Sequence, residues 1–443
     1  MKRIFLLILL AVSIGAFVYL HKLLPIVTGY AAKNMASGVF VARRTQESME
    51  KEDLNFFPIR LAKNKVNIEK KEVVSRFLWN HSKAVYVEGF GCVLAEDFEE
   101  ETIKNRPYKV VESLPERADT IFWPMGDLLP AKRPAFNDDK ITALISKLEA
   151  DTIPLKGTFA LTVVYKNIPI VEWYRDDFDA NNRFLSWSMA KSFTSTLVGI
   201  RVGEGRMTLD DIGSSKWQGD ERQNITLRNL LNMNSGLKWN ENYGALSDVT
   251  IMLHKEGDMA GYAAESLLDG NTGMDWKYSS GTTNIVCLAL RQTFSSDSDY
   301  YGFPREALFN RIGMKSAIFE TDASGTFVGS SYMYATMRDY ARYGLLYMNN
   351  GNWYGEQIIN PEWINFTTTT APGSDGRYGA FFWLNLSGDQ PDAPKDTYMC
   401  KGHDGQFIFI IPSEELVIVR TGYSKKGQFD TNLMLKDILE SVR

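Results

Sequence analysis

Cysteine and histidine are scarce in this chain, and that scarcity excludes much. Three cysteines, Cys92, Cys287 and Cys400, in 443 residues allow at most one disulfide, so the fold is not a disulfide scaffold. Their spacing suits no metal cluster. The four histidines, His21, His81, His254 and His403, form no H-E-x-x-H helix, and neither a G-x-S-x-G elbow nor a P-loop occurs. A metalloprotease, an α/β-hydrolase and a P-loop NTPase are thereby disfavoured. Long runs of like charge are also missing. With 49 Lys+Arg against 54 Asp+Glu, net −5, the chain lacks the basic stripe that phosphate neutralisation requires, so no nucleic acid is expected as a partner. What remains is 44% hydrophobic and 23% charged, the proportions of a globular protein rather than of a disordered or polytopic membrane chain.

One long apolar run is present. After Met1-Lys2-Arg3, residues Ile4 to Leu20 carry no charge. Seventeen residues is just above the usual signal-peptide core and just below the usual spanning helix. A cleaved signal peptide, cut near Tyr30-Ala31-Ala32, and an uncleaved membrane anchor both fit. Either keeps Lys2 and Arg3 on the cytoplasmic side and exports the rest, to a membrane-anchored, periplasmic or secreted location.

Residues 25–136 read as a tether and a small N-terminal region. It becomes charged from Arg43 to Lys71 and has short strands near Ala84 and Gly91. Pro107, Pro115, Pro124, Pro130 and Pro134 then punctuate a loop-rich stretch. From Asn137 the pattern changes. Ile141, Leu144, Ile145 and Leu148 recur at helical spacing behind Asp138 and Asp139. Gly157 to Asn167 and Ile168 to Trp173 read as a strand and its return. Near the other end, Phe407–Ile411 and Leu416–Thr421 are two β-rich runs, followed by a helix over Leu433–Val442. Strands at both ends with helices between predict an α/β (α+β) domain over 137–443, with a mixed antiparallel sheet completed by both termini.

The chemistry-bearing pattern is Ser-x-x-Lys at Ser188 and Lys191, opening the apolar helix that runs to Ile200. Residues i and i+3 share a helix face, so the amine can meet the hydroxyl. A serine needs a base to become a nucleophile, and a buried lysine held neutral supplies one. The same pattern at Ser48/Lys51 falls in the charged segment, and at Ser235/Lys238 in a glycine-containing loop, so only Ser188 opens an apolar helix. Tyr278, in Tyr-Ser-Ser280 before the helix Ile285–Leu290, is a candidate proton relay. Lys401-Gly402-His403-Asp404-Gly405-Gln406 precedes a strand, where glycines permit close approach of a ligand and a backbone N–H can serve an oxyanion.

In that order the three boxes resemble those of the penicillin-recognising serine hydrolases. The closest likeness is to their class C β-lactamase-related branch and its 6-aminohexanoate-dimer hydrolase group. Thr226-Leu-Arg-Asn-Leu-Leu, Met337-Arg-Asp-Tyr-Ala-Arg-Tyr-Gly and Tyr378-Gly-Ala-Phe-Phe-Trp383 extend the likeness across 137–443. The resemblance implies a β-lactamase/transpeptidase-like fold, Ser188 as acylated nucleophile, Lys191 as its base and Tyr278 as second proton-transfer group. It also implies an oxyanion or substrate-binding site at His403, Gly402, Gly405 and Gln406, with Tyr243 lining the pocket, and neither metal nor organic cofactor. Ser280 stands where β-lactamases of this branch carry Asn, and His403-Asp404-Gly405 replaces Lys-Thr-Gly. The expected substrate is therefore a small ester or amide rather than an antibiotic. A cell-wall DD-peptidase and a non-catalytic binding member of the fold are the alternatives.

Overall fold

The computed structural model describes residues 2–112 and 120–443. Pro115, one of the prolines expected to punctuate the loop region, lies outside the described residues. The rest of that stretch, between Lys104 and Asp138, carries an isolated bridge, Phe122 to Leu128, and no helix or strand among its described residues.

The domain is built on a six-stranded antiparallel sheet. Strands β5 (Thr158–Tyr165) and β6 (Ile168–Tyr174) come from one end of the domain's sequence. Strands β7 (Trp383–Leu384), β8 (Tyr398–Gly402), β9 (Gln406–Ile411) and β10 (Leu416–Gly422) come from the other, and the spatial order is β7-β8-β9-β10-β5-β6. The expected joining of both ends occurs at β10 and β5, where Leu416 faces Tyr165 and Val419 faces Thr162. The β5–β6 turn is Lys166-Asn167, both at positive φ, as a two-residue hairpin loop demands.

Every strand near the sheet centre is apolar on both faces because both faces are covered. Phe407, Phe409, Ile411, Leu416 and Ile418 point to helices α2 (Asp138–Glu149) and α6 (Thr431–Val442), packing on Leu144, Leu148, Leu435 and Ile438. Their alternates Ile408, Ile410, Val417 and Val419 point to the larger core, which contains α3 (Ala190–Gly203), α4 (Ser280–Arg291) and α5 (Met337–Met348). Asn137, whose side chain accepts from Lys140 N at 3.1 Å, is the N-cap of α2.

The N-terminal region departs from a tether. Helix α1 runs unbroken from Lys2 to Phe40 through Pro25, about 58 Å at 1.5 Å per residue. Its first part is exposed, whereas residues 24–38 are buried or nearly so. They pack against a second antiparallel sheet, β1 (Lys63–Asn67), β2 (Glu72–Phe77), β3 (Asn80–Val87) and β4 (Gly91–Leu94). Lys33, within the buried half, is ion-paired to Glu320, which also accepts from Ser37 Oγ at 2.8 Å and Cys92 N at 2.6 Å. The first part of 25–136, expected as a tether, is thus a core helix with the start of a sheet. The cleavage motif Tyr30-Ala31-Ala32 lies inside it, with both alanines fully buried. Hydropathy could not reveal this, because an apolar helix buried in protein and one buried in lipid share a composition.

Candidate active site

Ser188 lies on a single 3₁₀ turn, Trp187–Met189, that leads directly into α3. Trp187 has φ +45, a left-handed conformation that costs a bulky residue energy, so the turn is held by its surroundings. Its indole is ringed by Tyr30 of α1 at 6.3 Å, Tyr243 at 5.9 Å, Tyr332 at 6.2 Å and His403 at 5.6 Å between centroids. The strained turn presents the Ser188 hydroxyl at the mouth of α3, with the residue 8% exposed.

Lys191, one turn on, is 1% exposed. Its Nζ donates to Ser188 Oγ at 3.0 Å, Ser280 Oγ at 2.9 Å and the Ser330 carbonyl at 2.9 Å. Three donors meet three acceptors, none of them a carboxylate. Burial therefore dominates and lowers the amine to about 8, with the more distant Glu241 opposing the shift.

Ser280 opens α4, whose N-cap is Ser279. The residue that departs from the β-lactamase pattern has a defined place: it accepts from Lys191 and donates to Glu241 Oε1 at 2.5 Å. Glu241 is fixed in turn by Ser280 N at 2.9 Å and Trp239 Nε1 at 2.5 Å. The result is a continuous chain from Ser188 through Lys191 and Ser280 to Glu241. Sequence reasoning missed Glu241, since an isolated Glu in a polar loop carries no pattern. Only its proximity to Ser280 marks it.

Tyr278 sits two residues before Ser280, with its ring centroid 4.9 Å from Lys191 Nζ. Tyr378 at 5.8 Å and Trp383 at 5.3 Å wall its other side. Burial pushes its phenol well above the usual value, while interaction with the Ser188 hydroxyl opposes that rise. Tyr243 is the second tyrosine beside Ser188. Its hydroxyl has no partner at hydrogen-bond geometry, yet it stands within electrostatic reach of the Ser280, Ser331 and Ser188 hydroxyls. Tyr243 stacks on His403 with centroids 4.5 Å apart. Two tyrosines therefore stand beside the Ser188–Lys191 pair.

The third box divides. Gly402 ends β8 against the Trp187–Met189 turn, and a Cβ there would fall 2.2 Å from the Ser186 carbonyl oxygen. Only glycine lets this strand approach so closely. His403, the next residue, reaches Trp187 and Tyr243. Gly405 and Gln406 are turned elsewhere. Gly405 has φ +90, and its Cβ position is occupied by Arg420 Nη1 at 2.2 Å. The Gln406 amide binds Gly422 O at 2.6 Å and His403 O at 3.1 Å, and accepts from Gly422 N at 3.1 Å. These two expected substrate-binding residues instead secure the β9 end to β10, because their polar groups are consumed by the sheet. Of the competing Ser-x-x-Lys pairs, Ser48 is taken up by Arg44, and Ser235 Oγ accepts from Leu237 N in its loop.

Comparison with known proteins bears on the family and the fold. The family model described as Beta-lactamase matches residues 157–437. Among solved structures, a protein assigned as a 6-aminohexanoate-dimer hydrolase from Bacillus anthracis superposes with TM-score 0.55 at 19% identity, covering 76% of this chain and 88% of its own. A protein assigned as a β-lactamase from Bacteroides dorei does so at 0.55 and 16%, covering 70% and 99%. EstCE1, a hydrolase with promiscuous acyltransferase activity, does so at 0.55 and 14%, covering 69% and 98%. A search of curated protein sequences found no match.

Proposed function

The chain belongs to the β-lactamase family, and from that premise we propose that it is an exported, membrane-anchored serine hydrolase that cleaves an ester or amide through an acyl-enzyme on Ser188. The observation that carries the reading is the 3.0 Å contact between a buried lysine amine, lowered to about 8, and the Ser188 hydroxyl. Near neutral pH a useful fraction of that amine is unprotonated, which is the condition for a base.

In this reading Ser188 Oγ attacks the substrate carbonyl as Lys191 Nζ takes its proton. The backbone N–H groups of Ser188 and His403 receive the developing oxyanion. Tyr278 passes a proton to the leaving alcohol or amine and then helps activate the water that releases the acyl group. Ser280 and Glu241 hold Lys191 in register, because a flexible four-carbon stem would otherwise sample many rotamers. Glu241 places a carboxylate one hydroxyl from Lys191, which disfavours a substrate bearing its own carboxylate near the scissile bond. An uncharged ester or linear amide fits better than a β-lactam.

Intact-protein mass spectrometry of the full chain with an aryl ester, a linear amide and a penicillin tests this. An acyl adduct or turnover in wild type that disappears in Ser188→Ala supports the assignment, and the reacting donor reveals the class. Equal labelling of Ser188→Ala rejects it, and a stable penicillin adduct would shift the reading to a penicillin-binding peptidase.

A further inference from the structure

Helix α1 is long and apolar enough to cross a membrane, and its exposed apolar surface extends from Ile4 to Tyr19. It does not stand alone at its outer end. The β2–β3 hairpin folds down along it, so that Trp79 at the hairpin tip stacks on Phe17 with centroids 5.4 Å apart. Phe17 is three residues inside the last apolar position, Leu20, or about 4.5 Å along the axis. The Trp79 ring therefore reaches the depth of the apolar span, while Asn80, which closes the loop, donates to Thr28 Oγ1 at 2.7 Å, eight residues beyond Leu20.

The tip is also chemically unusual. Phe77 pairs with Asn80, leaving a two-residue loop of Leu78 and Trp79. Such loops ordinarily take Asn-Gly or Asp-Gly because they need positive φ. Here Leu78 has φ +52 and both residues are exposed, by 63% and 51%. A strained, apolar, solvent-facing turn gains nothing in water.

Behind the tip lies a row of basic side chains. Across β1, β2 and β3 the register pairs Lys63 with Arg76 and Arg76 with His81. Directly opposed residues share a sheet face, and all three are exposed. Lys22 stands exposed on α1 just past the apolar run. None of these four has a carboxylate partner among the described residues. An apolar tip followed by unpaired basic residues matches the layering of a bilayer surface, hydrocarbon then anionic headgroup.

We infer that the Leu78-Trp79 tip inserts into the leaflet through which α1 exits, with Lys63, Arg76, His81 and Lys22 lying in its phospholipid headgroup layer. This rests on α1 spanning the membrane. A single helix leaves the tilt of its domain open over tens of degrees. A second point of insertion closes that freedom and sets the height of the catalytic turn. Tyr30, which packs on Trp187 beside Ser188, is ten residues beyond Leu20, about 15 Å up the axis. Asn80 and Ser82, on either side of His81, both bond Thr28, two residues short of Tyr30, so the site is held at the level of the headgroups, suited to an acyl donor that resides at the membrane surface.

The native cysteines are all buried, so single introduced cysteines can be labelled. Full-length Leu78→Cys, Ile14→Cys and Leu267→Cys, each carrying an environment-sensitive fluorophore, are placed in phosphatidylcholine bilayers with and without phosphatidylglycerol. Quenching by lipids brominated on the acyl chain is then measured. The inference expects positions 78 and 14 to be quenched and 267 to be silent. Quenching at 14 without quenching at 78 overturns it and leaves the anchor standing, and no quenching at 14 overturns the anchor and the inference together. In Lys63→Glu/Arg76→Glu, quenching at 78 in phosphatidylglycerol bilayers should fall at least about twofold, with position 14 unchanged. No fall removes the headgroup contact from the proposal.

Discussion

Two lysines are buried to the same degree in this molecule and do opposite things. Lys33, on the inner half of α1, and Lys191, at the start of α3, are each 1% exposed. Lys33 meets the Glu320 carboxylate directly, with Ser37 Oγ as a further acceptor at 2.9 Å. Lys191 meets two hydroxyls and one carbonyl, and its nearest carboxylate, Glu241, is reached only through Ser280. A direct counter-charge holds a buried amine in an ion pair and makes it a fastener between α1 and the Ile318–Phe319 segment. A counter-charge one hydroxyl away leaves the amine poised to lose its proton. Burial alone does not make a lysine into a base. The placement of the carboxylate is what separates the two.

Replacing each lysine by methionine should separate the two roles most widely. Lys191→Met removes the proposed base, and turnover of an aryl ester should fall by about 10³-fold or more while the melting temperature holds or rises. Next in size, Tyr278→Phe should slow both acylation and deacylation by about 10²–10⁴-fold, read by pre-steady-state kinetics. An unaltered rate there would transfer the proton-transfer role to Tyr243.

Lys33→Met should do the reverse of Lys191→Met. It strands a fully buried Glu320 and should cost about 3–5 kcal/mol of stability, with turnover per folded molecule retained. Adding Glu320→Gln should return part of that loss in a denaturation cycle. Failure of the double variant to recover would mean that the carboxylate matters through Ser37 and Cys92 N rather than through the charge pair.

The finest test uses pH. Because only neutral Lys191 accepts a proton, kcat/KM should climb as pH rises towards about 8 and level above it. Glu241 raises the Lys191 value, so Glu241→Gln should lower it and move the rising limb to more acidic pH. A limb that stays in place would detach Glu241 from the lysine.

Much of the site was legible along the chain because its geometry is local. Ser188 and Lys191 share one helix face, and i, i+3 spacing suffices to bring them together. The sheet was legible for a similar reason: β9, β10 and β5 are apolar on both faces and read as strands without partners in view. Tyr278 could be ranked only by order with the other boxes, since nothing local separates it from an ordinary loop tyrosine.

Glu241, the strained Trp187 turn and the reach of Tyr30 beneath it were invisible, because each depends on contacts across dozens of residues or more. Gln406 and Gly405 show the converse. Their sequence position next to His403 suggested a ligand, but a β-strand alternates its faces, and the pleat sends the Gln406 amide to Gly422. The N-terminal helix marks the boundary most clearly. Sequence by itself determined that residues 4–20 are apolar and helical, for hydrocarbon and protein interior select the same side chains. Only the tertiary structure decided that the same helix continues as core to Phe40, because burial there is conferred by the β1–β4 sheet and by the Glu320 carboxylate that neutralises Lys33.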